Sequence, residues 1–99
     1  MRTVMVRYKT TAEHAEQNAA NVRAVFDELR ARQPAGFRYA TYRLEDGVSF
    51  VHVASVEAGK NPLFDIPAFD RFQKALAGRC VEPPVVTELS PVDSYAPRG

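Results

Sequence analysis

The most regular patterning in the chain lies between Phe37 and Ser55, where two alternating runs flank Glu45-Asp46-Gly47. Asp-Gly between alternating runs predicts a tight type I′ hairpin, because that turn needs positive φ at both central residues. The predicted strands are Phe37–Leu44 and Val48–Ser55, paired antiparallel. A period of two separates Phe37, Tyr39, Thr41 and Arg43 from Arg38, Ala40, Tyr42 and Leu44 on the first strand. On the second it separates Phe50, His52, Ala54 and Val56 from Ser49, Val51, Val53 and Ser55. Neither face of the pair is cleanly polar, so both need cover.

Upstream, Thr3 to Lys9 alternates Val4, Val6 and Tyr8 against Met5 and Arg7 and reads as a strand. The period then changes. Thr10 stands three before Glu13, the capping-box spacing, and Ala15, Ala19, Val22, Phe26 and Leu29 form one apolar stripe on a helix of about five turns. Glu13 and Glu16 near its start and Arg30 and Arg32 near its end suit the helix dipole, and Pro34 with Gly36 ends it. Downstream of the hairpin, residues 57–62 have loop composition. A second helix is predicted over Pro67–Ala77, with Phe69, Phe72 and Leu76 as its buried face and Gly78 just past its end. The final run, Cys80 to Tyr95, carries Val81, Val85, Val86, Leu89, Val92 and Tyr95, interrupted by Pro83-Pro84 and Pro91. Proline cannot donate to a ladder, so this strand belongs at an edge and in segments.

The order β-α-β-β-α-β in one domain, residues 1–99, is that of the ferredoxin-like plait: an α+β fold with a four-stranded antiparallel sheet and two helices on one face. Each helix carries a single stripe, enough to cover one side of the sheet. The other side keeps its apolar groups, and a second copy of the chain, meeting it through the open sheet face and the C-terminal strand, would cover them. The expected assembly is a homodimeric α+β barrel.

Composition narrows the function. A hydrophobic fraction of 45% and a charged fraction of 25% are globular values and argue against disorder or a membrane span. A formal net charge of +1 provides no basic field for nucleic acid. Gly47-Val48-Ser49-Phe50-Val51-His52-Val53 partly resembles the aromatic motif of RNA-recognition domains, but Val48 and Val53 occupy positions where stacking rings belong. Arg30, Arg32 and Arg38 lie close in sequence and read as a helix terminus and an exposed strand position. The run after Met1-Arg2 is too short and too polar for a signal peptide or a transmembrane helix, and the lone Cys80 suits a reducing compartment, so cytoplasm is the expected location. Cys80 reads as a buried strand residue.

Among side chains with chemistry, His52 is the candidate catalytic group. At mid-strand it is either a general base toward a phenol or a hydrogen-bonded core histidine. Tyr8, Tyr39 and Tyr42 could line an aromatic pocket or simply pack. Arg7, if inward, would need an anionic partner. Phe50 shares the face of His52, while Phe64, Phe69 and Phe72 read as core and pocket lid together. Asn18 and Asn21 fall on the flank of the first helix, facing either a pocket or water, and His14 reads as solvent-facing. The two histidines lack partners at metal-ligand spacing, and no glycine loop, nucleophile elbow or paired carboxylates mark another enzyme class; neither metal nor cofactor is expected.

Val4-Met5-Val6-Arg7-Tyr8-Lys9, the long first helix, the Asp-Gly hairpin and Asn61-Pro62-Leu63-Phe64-Asp65-Ile66-Pro67-Ala68-Phe69 together resemble the dimeric α+β barrel superfamily, and within it the antibiotic-biosynthesis monooxygenase type. The resemblance implies a homodimer whose final strand reaches the neighbour, and a pocket between sheet and helices for a small hydrophobic ligand. It also implies oxidation of quinols or polycyclic phenols by dioxygen without a bound cofactor. The alternative is a barrel that binds a ligand or serves a stress-type role without catalysis. Arg7, Tyr39, Tyr42, Phe50, Phe69 and Phe72 are the expected ligand-binding residues. The chain departs from the pattern: the first strand offers Arg7 or Lys9 rather than asparagine, there is no tryptophan, and no histidine lies between Asn61 and Ala77. The last departure argues against the haem-degrading branch.

Overall fold

The computed structural model describes residues 1–96; the last three residues of the expected 1–99 domain lie outside the described residues. The elements are β1 (Arg2–Thr10), a 3-10 turn (Ala12–His14), α1 (Ala15–Arg32), β2 (Phe37–Arg43), β3 (Ser49–Val56), a second 3-10 turn (Pro62–Asp65), α2 (Pro67–Leu76) and β4 (Cys80–Leu89). The four strands form one sheet in the order β2-β3-β1-β4, antiparallel at each junction. This is the α+β plait expected from the element order.

Strand alternation decides what the helices cover. Val6, Tyr8, Tyr39 and Phe50 point to the helical side and join Val22, Val25, Leu29, Phe72 and Leu76 in one core. The opposite side is built in rows. Tyr42 faces Val51, which faces Arg7, which faces Val85; the next row is Ala40, Val53, Met5 and Thr87. Tyr42 and Val85 are each about three-fifths exposed, so this face is apolar and carries no helix.

The hairpin forms, but not through a type I′ turn. Among the described residues Gln33 is the one non-glycine with positive φ, so Asp46 is not left-handed, whereas Gly47 is, at φ 77°. The loop closes by Gly47 N–H to Leu44 C=O at 3.0 Å and Leu44 N–H to Ser49 C=O at 2.9 Å. The Asp46 carboxylate accepts from the amides of Val48 and Ser49 and from the Ser49 hydroxyl. These bonds favour the ionised form and hold its carboxyl down at about 2. Asp46 thus serves by its side chain rather than by tolerating positive φ.

The capping box is also corrected. Thr10 is the buried last residue of β1, and its hydroxyl donates to Val48 C=O at 3.2 Å. It is Thr11 that meets the following turn, through His14 Nδ1 at 2.7 Å, and no side chain caps the first amides of α1. At its far end α1 stops at left-handed Gln33, one turn before Gly36. The start of α2 is capped from the other helix: Glu28 Oε1 accepts from Ala68 N–H at 3.1 Å.

β4 is an edge strand, as its prolines require, and its register with β1 slips on either side of Lys9. It ends at Leu89; Pro91–Ala96 is exposed and irregular, so the strand does not extend to Tyr95.

Candidate functional site

The inward rows bring four polar side chains together at the centre of the sheet, and α1 adds a fifth. His52 on β3 stands opposite Thr41 on β2 and Val6 on β1, and Tyr8 stands opposite Phe50. From these positions Tyr8 Oη lies 2.8 Å from His52 Nε2, while Tyr39 Oη and Thr41 Oγ1 lie 2.6 and 3.0 Å from Nδ1. From α1, Asn18 Nδ2 donates to Tyr8 Oη at 2.8 Å. Tyr8, Asn18 and His52 are 2%, 4% and 5% exposed. Burial on this scale is tolerable only when each polar atom has a partner, and among the described residues no buried side-chain nitrogen or oxygen lacks one.

Rings hold the cluster in place. Tyr8 stacks on His52 with centroids 5.3 Å apart, and His52 lies 5.4 Å from Phe72, which stacks on Phe69. Tyr39 stacks on Phe26 of α1 at 5.0 Å. Burial dominates the electrostatics because every charged form would leave water. It pushes the His52 imidazole down to about 4, leaving it neutral at pH 7. Burial also pushes the Tyr39 hydroxyl up to about 12, outweighing a hydrogen bond with Thr41. Tyr8 is raised well above the ordinary tyrosine value by burial, against the opposing bond from Asn18. The cluster is a neutral hydrogen-bonded chain.

Beside it is a cavity of about 980 Å³ between the sheet, the second 3-10 turn, α2 and β4. Its wall is mainly apolar, including Val4, Val6, Ala54, Leu63, Phe69, Phe72 and Leu76, with buried Tyr8 and His52 and half-buried Tyr39 as its inner polar part. Arg2, Glu57 and Gln73, all exposed, stand at its rim.

Of the residues expected to bind a ligand, Tyr39, Phe69 and Phe72 line this cavity together with His52. Phe50 does not. It is 2% exposed, stacked on Tyr8 at 5.6 Å, and borders a smaller cleft of about 310 Å³ beside Arg43. Arg7 and Tyr42 are turned away altogether: each sits an odd number of residues from an inward neighbour, Tyr8 or Tyr39, and therefore on the open face. The imidazole, expected either as a base toward a ligand or as a hydrogen-bonded core histidine, lines the cavity with both nitrogens bonded to protein groups, Tyr8 on one side and Tyr39 and Thr41 on the other.

Asn18 is the residue that periodicity left on a flank. It lies three after Ala15 and four before Val22, within the buried stripe, and that spacing was the signal. Asn21 is half-buried and bonded to Gln17, and His14 is half-buried against Thr11. Cys80 lines the cavity, and burial pushes its thiol up, away from the reactive thiolate. Among the described residues no group of three or more metal-ligating side chains converges, and no helix is long and apolar enough to cross a membrane.

No protein-family profile matches the chain, and no curated protein does. Solved structures do. Rv0793 from Mycobacterium tuberculosis superposes with a TM-score of 0.74 at 20% identity, over 96% of this chain and 98% of that one. A protein described as an antibiotic biosynthesis monooxygenase gives 0.70 at 15% identity, over 94% and 100%. SnoaB from Streptomyces nogalater, described as a cofactor-independent oxygenase, gives 0.62 at 22%, over 94% of each chain. The chain therefore has the ferredoxin-like fold of antibiotic biosynthesis monooxygenase-like proteins, as its sequence resemblance implied. At these identities the likeness is one of fold.

Proposed function

We propose that the protein is a cofactor-independent monooxygenase-like enzyme that takes a small aromatic substrate of the quinol or polycyclic phenol type into the cavity beneath α2. The observation that carries this reading is the neutral Tyr39–His52 pair at the wall of a mainly apolar cavity. In an anthrone-type substrate, a ring methylene and dioxygen become a ring carbonyl and water; the carbon gives up four electrons to dioxygen, and its two hydrogens leave in the water. The electrons come from the substrate's own enolate. Tyr39 donates to the oxygen on which that negative charge develops, in a site where water is scarce and such a bond counts for more. The carbon-bound proton passes to water at the cavity mouth, and His52 holds the Tyr39 oxygen from behind.

Dioxygen uptake with a panel of quinols and anthrones tests the reading. Turnover is expected, falling about 10²-fold or more in Tyr39→Phe. No turnover above a His52→Ala control at high enzyme concentration refutes it. One observation favours the second reading, a barrel that binds the ligand without oxidising it: both His52 nitrogens are already bonded within the protein. Ligand binding without oxygen uptake would establish that reading.

The same proposal includes a homodimer formed through the open face of Tyr42, Val51, Met5 and Val85, with the segment after Leu89 reaching the neighbour. It also places the protein in the cytoplasm, where a lone thiol stays reduced.

A further inference from the structure

We infer that Asn18, acting through Tyr8, fixes His52 as its Nδ1–H tautomer and so aims the Tyr39 proton into the cavity, selecting a ligand whose inner end is a hydrogen-bond acceptor, a carbonyl or phenolate oxygen. The inference rests on the cavity being the ligand site.

Each link follows from the one before. Tyr8 Oη is buried, and its two partners are Asn18 Nδ2 and His52 Nε2. An amide NH₂ can only donate, so the Tyr8 proton has one acceptor, His52 Nε2. A nitrogen that accepts carries no proton, and the neutral ring then carries it on Nδ1. From there it is donated to Tyr39 Oη at 2.6 Å, with Thr41 Oγ1 alongside at 3.0 Å. The hydrogen bond with Thr41 favours the Tyr39 phenolate, so the Thr41 hydroxyl is its donor; the Tyr39 oxygen thus accepts from both His52 and Thr41, and its own proton turns to the cavity that Tyr39 lines. All four bonds run one way, from helix to cavity. Were Asn18 to present its carbonyl oxygen to Tyr8, each bond would reverse, and Tyr39 would give its proton to His52 and accept one from the ligand. The orientation of one amide on α1 therefore decides which ligand polarity the site takes. Asn18 and Tyr8 are positioning residues; Tyr39 is the group that touches the ligand.

Imidazole ¹⁵N NMR of the unliganded protein reads the tautomer directly. The expected spectrum shows His52 with Nδ1 protonated and Nε2 bare; Nε2 protonated and Nδ1 bare overturns the inference without any variant. In Asn18→Asp, read at a pH high enough to ionise the buried acid, a carboxylate that only accepts replaces the amide donor, and the tautomer is expected to switch to Nε2–H. A folded Asn18→Asp protein that keeps Nδ1–H overturns the role of Asn18. For the ligand half, 1,4-naphthoquinone and naphthalene share a shape and differ in acceptors. The quinone is expected to bind about tenfold tighter, a hydrogen bond's worth, and to lose that advantage in Tyr39→Phe. Equal affinities overturn the selection. A protein that takes up neither probe refutes the proposed ligand site instead, and the tautomer, read with no ligand added, tells the two failures apart.

Discussion

Acidification should unfold this protein through His52 before it acts on the hairpin turn. The imidazole is held at about 4 against an ordinary value of 6.5. Above pH 6.5 both folded and unfolded chains carry it neutral, and its full contribution is present. As pH falls from 6.5 towards 4 the unfolded chain takes up a proton that the folded chain refuses, so stability drops by up to about 1.4 kcal/mol per pH unit. Below about 4 both states are protonated and the loss levels off at about 3 kcal/mol, a large share of what a small domain has. Asp46, held at about 2 against 3.8, works in a lower window, its stabilisation being lost as pH falls from 3.8 through 2. Urea denaturation at fixed protein concentration, repeated from about pH 7 to 4.5, measures the slope, and His52→Gln removes the titrating group. The variant should start less stable yet lose much less on acidification. Parallel curves for the two proteins would refute the argument that a buried neutral imidazole sits at the centre of the sheet.

Three further outcomes are expected. Phe50→Ala empties a position that is 2% exposed and stacked on Tyr8, and should cost about 3–5 kcal/mol in chemical denaturation. Glu28→Ala removes the acceptor for the first turn of α2 and the partner of Arg71; a loss of about 1 kcal/mol is expected, with faster amide exchange at Ala68. A chain ending at Ser90 lacks the segment proposed to reach a second copy and should sediment as a weaker dimer than the full chain; unchanged association would count against that exchange.

The plait was legible because each strand and helix shows its period without help from its neighbours. The stripe on α1, the Phe69–Phe72–Leu76 face of α2 and the proline-broken edge of β4 all follow from local sterics and burial. The site was legible only in part, for a physical reason. Which face of a strand meets the helices is a parity, and Tyr39 and Tyr42, three apart, cannot share one; neither can Arg7 and Tyr8. Arg7 and Tyr42 therefore stand on the open face, across the sheet from Tyr8 and Tyr39. Asn18 was harder. A polar residue inside an apolar stripe reads as a flank position until its partner is known, and that partner, Tyr8, comes from a different element. Capping at the start of α2 was invisible for the same reason, since Glu28 arrives from across the helix pair. The hairpin misled in another way: Asp46 is suited both to positive φ and to accepting amides, and sequence does not distinguish the two uses.

The hollow between α2 and β4 has a thermodynamic meaning beyond recognition. On the proposed function, a ligand in the cavity of about 980 Å³ beside the core supplies part of the cohesion of the domain. A molecule bound there as proposed would pack on Phe69, Phe72 and Leu76 and raise the melting temperature with the logarithm of its concentration over its dissociation constant. Heat resistance therefore becomes a way to search for the proposed ligand, one that works equally well whether or not the molecule is ever transformed.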